Sequence, residues 1–60
     1  MKVVLKGSIL TDGKNRWQVQ HVDKQCVWVK TYPPVPNEVA INFMWALVET
    51  LEVENPGRAA

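Results

Sequence analysis

From Trp17 to Lys30 the chain reads WQVQHVDKQCVWVK, two runs in which branched and aromatic residues alternate with polar ones around a polar Asp23-Lys24-Gln25 centre. Period-two alternation marks a half-buried strand, and two such runs joined by a short polar turn make a hairpin. In the first arm, alternation puts Trp17, Val19 and His21 on one face and Gln18, Gln20 and Val22 on the other. In the second, Val27 and Val29 point one way and Cys26, Trp28 and Lys30 the other. Sixty residues hold one small core and no second one, near the lower limit for a chain without disulfides or metal. Flanked on both sides by further strand-like runs, the hairpin is expected to floor that core.

Upstream, Lys2 to Leu10 reads KVVLKGSIL, and an interior glycine in such a run marks a strand that bends sharply at Gly7 or breaks there. The Asp12-Gly13 pair is a turn signal, because glycine reaches positive φ without steric cost. Downstream, Thr31-Tyr32-Pro33-Pro34-Val35-Pro36-Asn37 excludes a helix or central strand and predicts a stiff loop of polyproline II character. Alternation resumes at Glu38 to Phe43, with Val39, Ile41 and Phe43 inward. Met44 to Val48 has room for one helical turn, and Glu49 to Glu54 reads as a last strand with Leu51 and Val53 inside. These runs predict an all-β fold: a small five-stranded SH3-like half-open barrel over residues 1–55, with one short helical turn before the last strand. Residues 56–60 are expected to form a frayed tail.

One cysteine, Cys26, excludes an internal disulfide, and with a single histidine the chain lacks a zinc site built from thiolates and imidazoles. No metal or cofactor is expected. An unpaired thiol in an apolar strand suits a reducing compartment, the first residues lack a secretory leader, and no segment approaches the length of a membrane span. The chain therefore reads as a complete cytoplasmic protein. Its formal charge of +1 hides an asymmetry. Six basic side chains (Lys2, Lys6, Lys14, Arg16, Lys24, Lys30) face two aspartates in residues 1–32, a local charge of +4. Four glutamates face Arg58 in the remainder, a local charge of −3. This permits an anionic partner without demanding one.

Against catalysis, a barrel of this size seldom encloses a pocket by itself. Cys26 and His21 lie on neighbouring strands, but a structural cysteine is commoner than a reactive thiolate pair. Glu49, Glu52 and Glu54 read as a solvated strand face. Trp28 is the more informative residue: if its valine neighbours face inward, its indole faces outward beside Lys30. There it is either a stacking platform for a base, a proline or another subunit, or is covered by the Pro33 to Pro36 loop with Tyr32. Trp17 belongs with Val19 in the core, and Trp45, on the helical turn, has either fate open.

Trp17-Gln18-x-Gln20-x-Val22 followed by Val39-x-Ile41 and Ala46-Leu47 resembles the plasmid-encoded type II dihydrofolate reductases, tiny SH3-like barrels that work as tetramers around a shared pore. The resemblance implies the barrel. The segment matching their pore-lining Val-Gln-Ile-Tyr is Val39-Ala40-Ile41-Asn42, which lacks the glutamine amide and the phenol, so it does not imply the activity. Val27-x-Val29 with Pro36-Asn37-Glu38-Val39-Ala40-Ile41 is similar to the carbon storage regulator family of RNA-binding dimers. That resemblance implies basic residues in the first strand, here Lys2 and Lys6, and an arginine after the last of these strands, where Phe43 stands.

The function expected from these features is a non-catalytic binding module that docks a protein partner or an identical subunit through Trp28, Lys30, Tyr32, Pro33, Pro36 and Trp45, as in a small regulatory or phage- or plasmid-type accessory protein. The alternative is nucleic-acid binding through Lys2, Lys6, Lys14, Arg16, Lys24 and Lys30, with Trp28 stacking on a base.

Overall fold

A computed structural model describes residues 3–55. Its elements run β1 (Ile9–Thr11), β2 (Arg16–Val22), β3 (Cys26–Thr31), β4 (Ile41–Met44), α1 (Trp45–Val48) and β5 (Glu52–Asn55). The strands form one antiparallel sheet in the order β4-β3-β2-β1-β5. Its two outer strands do not pair with each other, so the barrel is half-open. The all-β class, the five strands and the single helical turn before the last strand follow the sequence expectation.

The inner face carries the core. Val4, Leu10, Val19, Val27, Val29, Phe43, Val48 and Leu51 are buried in one cluster, with Trp17, Val22, Trp45 and Val53 packed against it. Trp17 meets Phe43 edge-on, ring centroids 5.0 Å apart at 77°, an arrangement that sets a positive ring edge against a negative face. Val27 and Val29 point inward as alternation requires, and Leu51 and Val53 do so from the far end of the chain.

The run before Leu10 breaks at Gly7 (φ 94°), one of the two outcomes its glycine implies, and the first strand spans only Ile9–Thr11. At the break the Gly7 amide donates to the Val19 carbonyl at 2.8 Å, and the Leu5 amide donates to the Ser8 hydroxyl at 3.1 Å. Four other expectations are corrected. In β2 the register shifts between Val19 and His21, pairing Val19 with Val29, His21 with Trp28 and Val22 with Val27. Gln20 is therefore the extra residue of a bulge, which sends His21 out and Val22 in, the reverse of strict alternation.

β4 begins at Ile41, so Val39 stands free of the sheet, 79% exposed. Ile41 lies opposite Val29 yet remains 50% exposed, because no further strand covers this margin. Finally, the proline loop is not one extended run. It turns at Pro36-Asn37, where Asn37 takes a positive φ of 66°, and Glu38 returns to the end of β3, its Oε1 accepting the Thr31 amide at 3.0 Å. The last strand also starts later than expected. Glu49 and Thr50 complete the helical turn, their amides donating to the Trp45 and Leu47 carbonyls at 2.9 Å each. The expected tail and Lys2 lie outside the described residues.

The Asp12-Gly13 turn forms as read, with Gly13 at φ 98°. Asp12 Oδ1 accepts the Asn15 amide at 2.7 Å and the Lys14 amide at 2.8 Å, and these two donors hold the carboxyl below the usual aspartate range. A carboxylate depressed in the folded state binds fewer protons there than in the unfolded chain. Its stabilising contribution is therefore present at neutral pH and lost as pH falls through the folded value. A carboxyl-carbon titration should show Asp12 with a midpoint below an ordinary aspartate. Asp12→Asn should keep the turn and flatten the acid limb of the stability profile; an unaltered limb would contradict this assignment.

Candidate functional site

The sheet distributes the candidate residues over three places. At the middle, β3 sets Trp28 on the outer face, opposite His21 of β2 and Asn42 of β4. Lys30, two residues on, occupies the same face opposite Gln18, and Cys26 lies on it opposite Met44. Trp28 is half-buried and stands outside the core cluster. The strand that carries it is paired on both sides, and its ring is not part of the barrel interior. His21 shares this face only because of the bulge at Gln20. That places an exposed imidazole and the half-buried Cys26 thiol on one side of the hairpin.

At the end of the hairpin where β2 starts and β3 finishes, Lys14, Asn15, Arg16, Trp17, Thr31, Tyr32 and Pro33 line a cleft of about 500 Å³. The pairing of Trp17 with Thr31 brings the two stretches together. The Arg16 guanidinium carbon lies 5.3 Å from the Tyr32 ring centroid, within reach of a cation-π attraction. Its Nη2 also donates to Glu54 Oε1 at 2.7 Å, across the width of β1. Arg16 is thus already engaged by a ring and a carboxylate. Both partners of that ion pair are well exposed, which keeps its contribution to stability below about 1 kcal/mol.

At the other end, Asp23, Lys24, Trp45 and Glu49 line a second, more apolar cleft of about 400 Å³. The Trp45 indole N–H donates to the Asp23 carbonyl at 2.9 Å, tying the start of α1 to the β2–β3 turn. Its polar handle is thereby used inside the protein, while its ring forms a cleft wall. Five residues of β2, Gln18 to Val22, separate the two clefts, roughly 17 Å of extended chain.

The structure therefore joins Tyr32 and Pro33 with Lys14 and Arg16, and Trp28 with Lys30. It does not join either pair with Trp45 and Lys24. Pro36 is exposed at the loop turn, Lys6 is exposed at the turn before Gly7, and Lys2 falls outside the described residues. The expected division into a basic and an acidic half is not a division in space: Glu54 meets Arg16, and Glu49 lines one cleft with Lys24. Strict alternation puts His21 on the inner face, away from Trp28, and gives no register that would set Asn42 beside it. The hairpin register alone would have shown His21 beside Trp28, had the bulge been recognised.

Among the described residues no group of three or more His, Cys, Asp or Glu side chains is placed to hold a metal ion. No helix among them is long and apolar enough to cross a membrane. No family model, curated protein or solved structure matches the chain.

Proposed function

We propose that this chain is a non-catalytic, cytoplasmic binding module that docks a protein partner or an identical subunit. The observation that supports the reading is Trp28, a large indole on the outer face of a strand paired on both sides, outside the core cluster. A tryptophan on a rigid strand presents a large apolar contact with little rotamer entropy to lose, and such residues dominate the energetics of interfaces. Lys30 supplies a charged neighbour, and the Tyr32-Pro33 cleft a second contact at the hairpin end.

Trp28→Ala is expected to weaken capture of a partner at least tenfold, a loss of about 1.4 kcal/mol or more. The urea unfolding midpoint should move little, because the ring lies outside the core. Undiminished capture by the variant would remove the proposal.

A second reading, nucleic-acid binding, is favoured by the lysine beside Trp28 and by Lys14 and Arg16 in the cleft that Tyr32 lines. It requires that affinity for a single-stranded oligonucleotide fall with salt at a slope of about −0.7 per phosphate neutralised. A gel shift showing no complex at low salt excludes it.

A further inference from the structure

The two margins of the sheet are built differently. β5, at one margin, reads Glu-Val-Glu-Asn and carries two exposed glutamates. Charges on an outer strand are a common device against unwanted strand pairing. At the other margin, the run Val39 to Met44, VAINFM, contains no charge and no proline. Val39, Ile41 and Met44 are 79%, 50% and 68% exposed. Among the described residues β4 pairs only with β3, so its far side presents unpaired backbone. The inner layer also stops there. Phe43 is buried against Trp17, whereas Ile41, on the same face, is half uncovered.

We infer that β4 is the docking strand for a second copy of this chain, paired antiparallel about a two-fold axis to continue the sheet. This inference goes beyond the binding-module reading: it seats the second copy on the β4 margin and leaves the Trp28 face to a different protein partner. Self-pairing is the arrangement an uncharged margin permits. In a two-fold contact each side chain meets the same segment of its twin, so a charged strand would face its own sign.

Antiparallel pairing matches residues of the same face, and centring the axis on Asn42 satisfies that rule. Ile41 then lies opposite Phe43 of the second copy on the inner face, and Asn42 lies opposite Asn42 on the outer face. Ile41 gains the cover it lacks, while two amides able both to donate and to accept meet on the axis. Oligomerisation is also a usual staple for a domain of this length. The charged β5 margin offers no such pairing, which leaves a closed pair of chains and not an open fibre.

The test is the solution mass of the full chain by sedimentation across micromolar to millimolar concentration, for wild type, Ile41→Lys, Ile41→Glu and Trp28→Ala. The expected result is a two-chain mass for wild type and for Trp28→Ala. Each Ile41 variant alone should show a dissociation constant at least about tenfold higher. An equal mixture of the lysine and glutamate variants should restore the two-chain mass, because opposite charges then flank the axis.

Should an Ile41 variant fail to fold, Val39→Lys, at a residue outside the sheet, supplies the same charge at the same margin and should weaken the pair likewise. A single-chain mass for wild type at millimolar concentration overturns the inference. So does a two-chain mass that survives both Ile41 charges, or one lost only in Trp28→Ala. The last result would move the twin to the Trp28 face and leave the binding-module reading standing. Loss of partner capture in Trp28→Ala with the pair intact would support both.

Discussion

Leu10→Ala is expected to lower the folding stability of the chain by about 2–5 kcal/mol. Leu10 is fully buried and sits at the centre of β1, opposite Trp17 of β2 on one side and Val53 of β5 on the other. Truncating a buried leucine to alanine costs about 2–5 kcal/mol, from lost transfer energy and the cavity left behind. A domain of sixty residues has a total stability on the order of 3–9 kcal/mol. The substitution therefore removes between a quarter of that stability and all of it. β1 is only three residues long, which leaves little neighbouring structure able to collapse into the space. Urea unfolding followed by tryptophan emission measures the effect. Leu47→Ala, at a residue 44% exposed, is the control and should cost well under 1 kcal/mol. Equal losses at the two leucines would mean that the core is not centred where the cluster places it.

Phe43→Ala is expected to be comparably damaging, at about 3–5 kcal/mol. Phe43 fills the inner face between Val27 and the Trp17 ring, and it is the buried side chain of β4. Its loss opens the core at the margin where Ile41 is already half uncovered. The ring contact itself can be separated from the burial by the pair Trp17→Leu and Phe43→Leu, alone and together. Leucine keeps most of the apolar area while removing the edge-to-face geometry. The coupling energy should be about 0.5–1.5 kcal/mol. Additive effects would assign Phe43 to packing alone.

Much of this architecture could be read from local chemistry. Asp12-Gly13 and Gly7 announce their bends because only glycine takes positive φ at no cost, and both do so. Val27 and Val29 announce the inner face of β3 because alternation along an unbroken strand has no other solution. The bulge at Gln20 was not legible in the same way. One inserted residue reverses the facing of all that follows it, and the sole trace in the sequence is Val22 standing among glutamines. The exposure of Ile41 and Val39 was illegible for a different reason. Periodicity says which way a side chain points, while burial depends on whether another element lies above it, and among the described residues none covers Ile41 or Val39 as Trp17 covers Phe43. The candidate site was legible by strand but not by place. Trp28 and Lys30 share a face by alternation, whereas Trp45 reaches the Asp23 carbonyl across 22 residues of sequence.

The order of the strands also fixes how much chain must be gathered to complete the sheet. β2, β3 and β4 join sequential neighbours, the first two through a turn of three residues, whereas Thr11 finds its partner in Glu52 only after the intervening chain has been brought round. Loop-closure entropy rises with the number of residues enclosed. Seating the last strand beside the first therefore carries the largest such cost in the molecule, and it falls on a ladder only three rungs long.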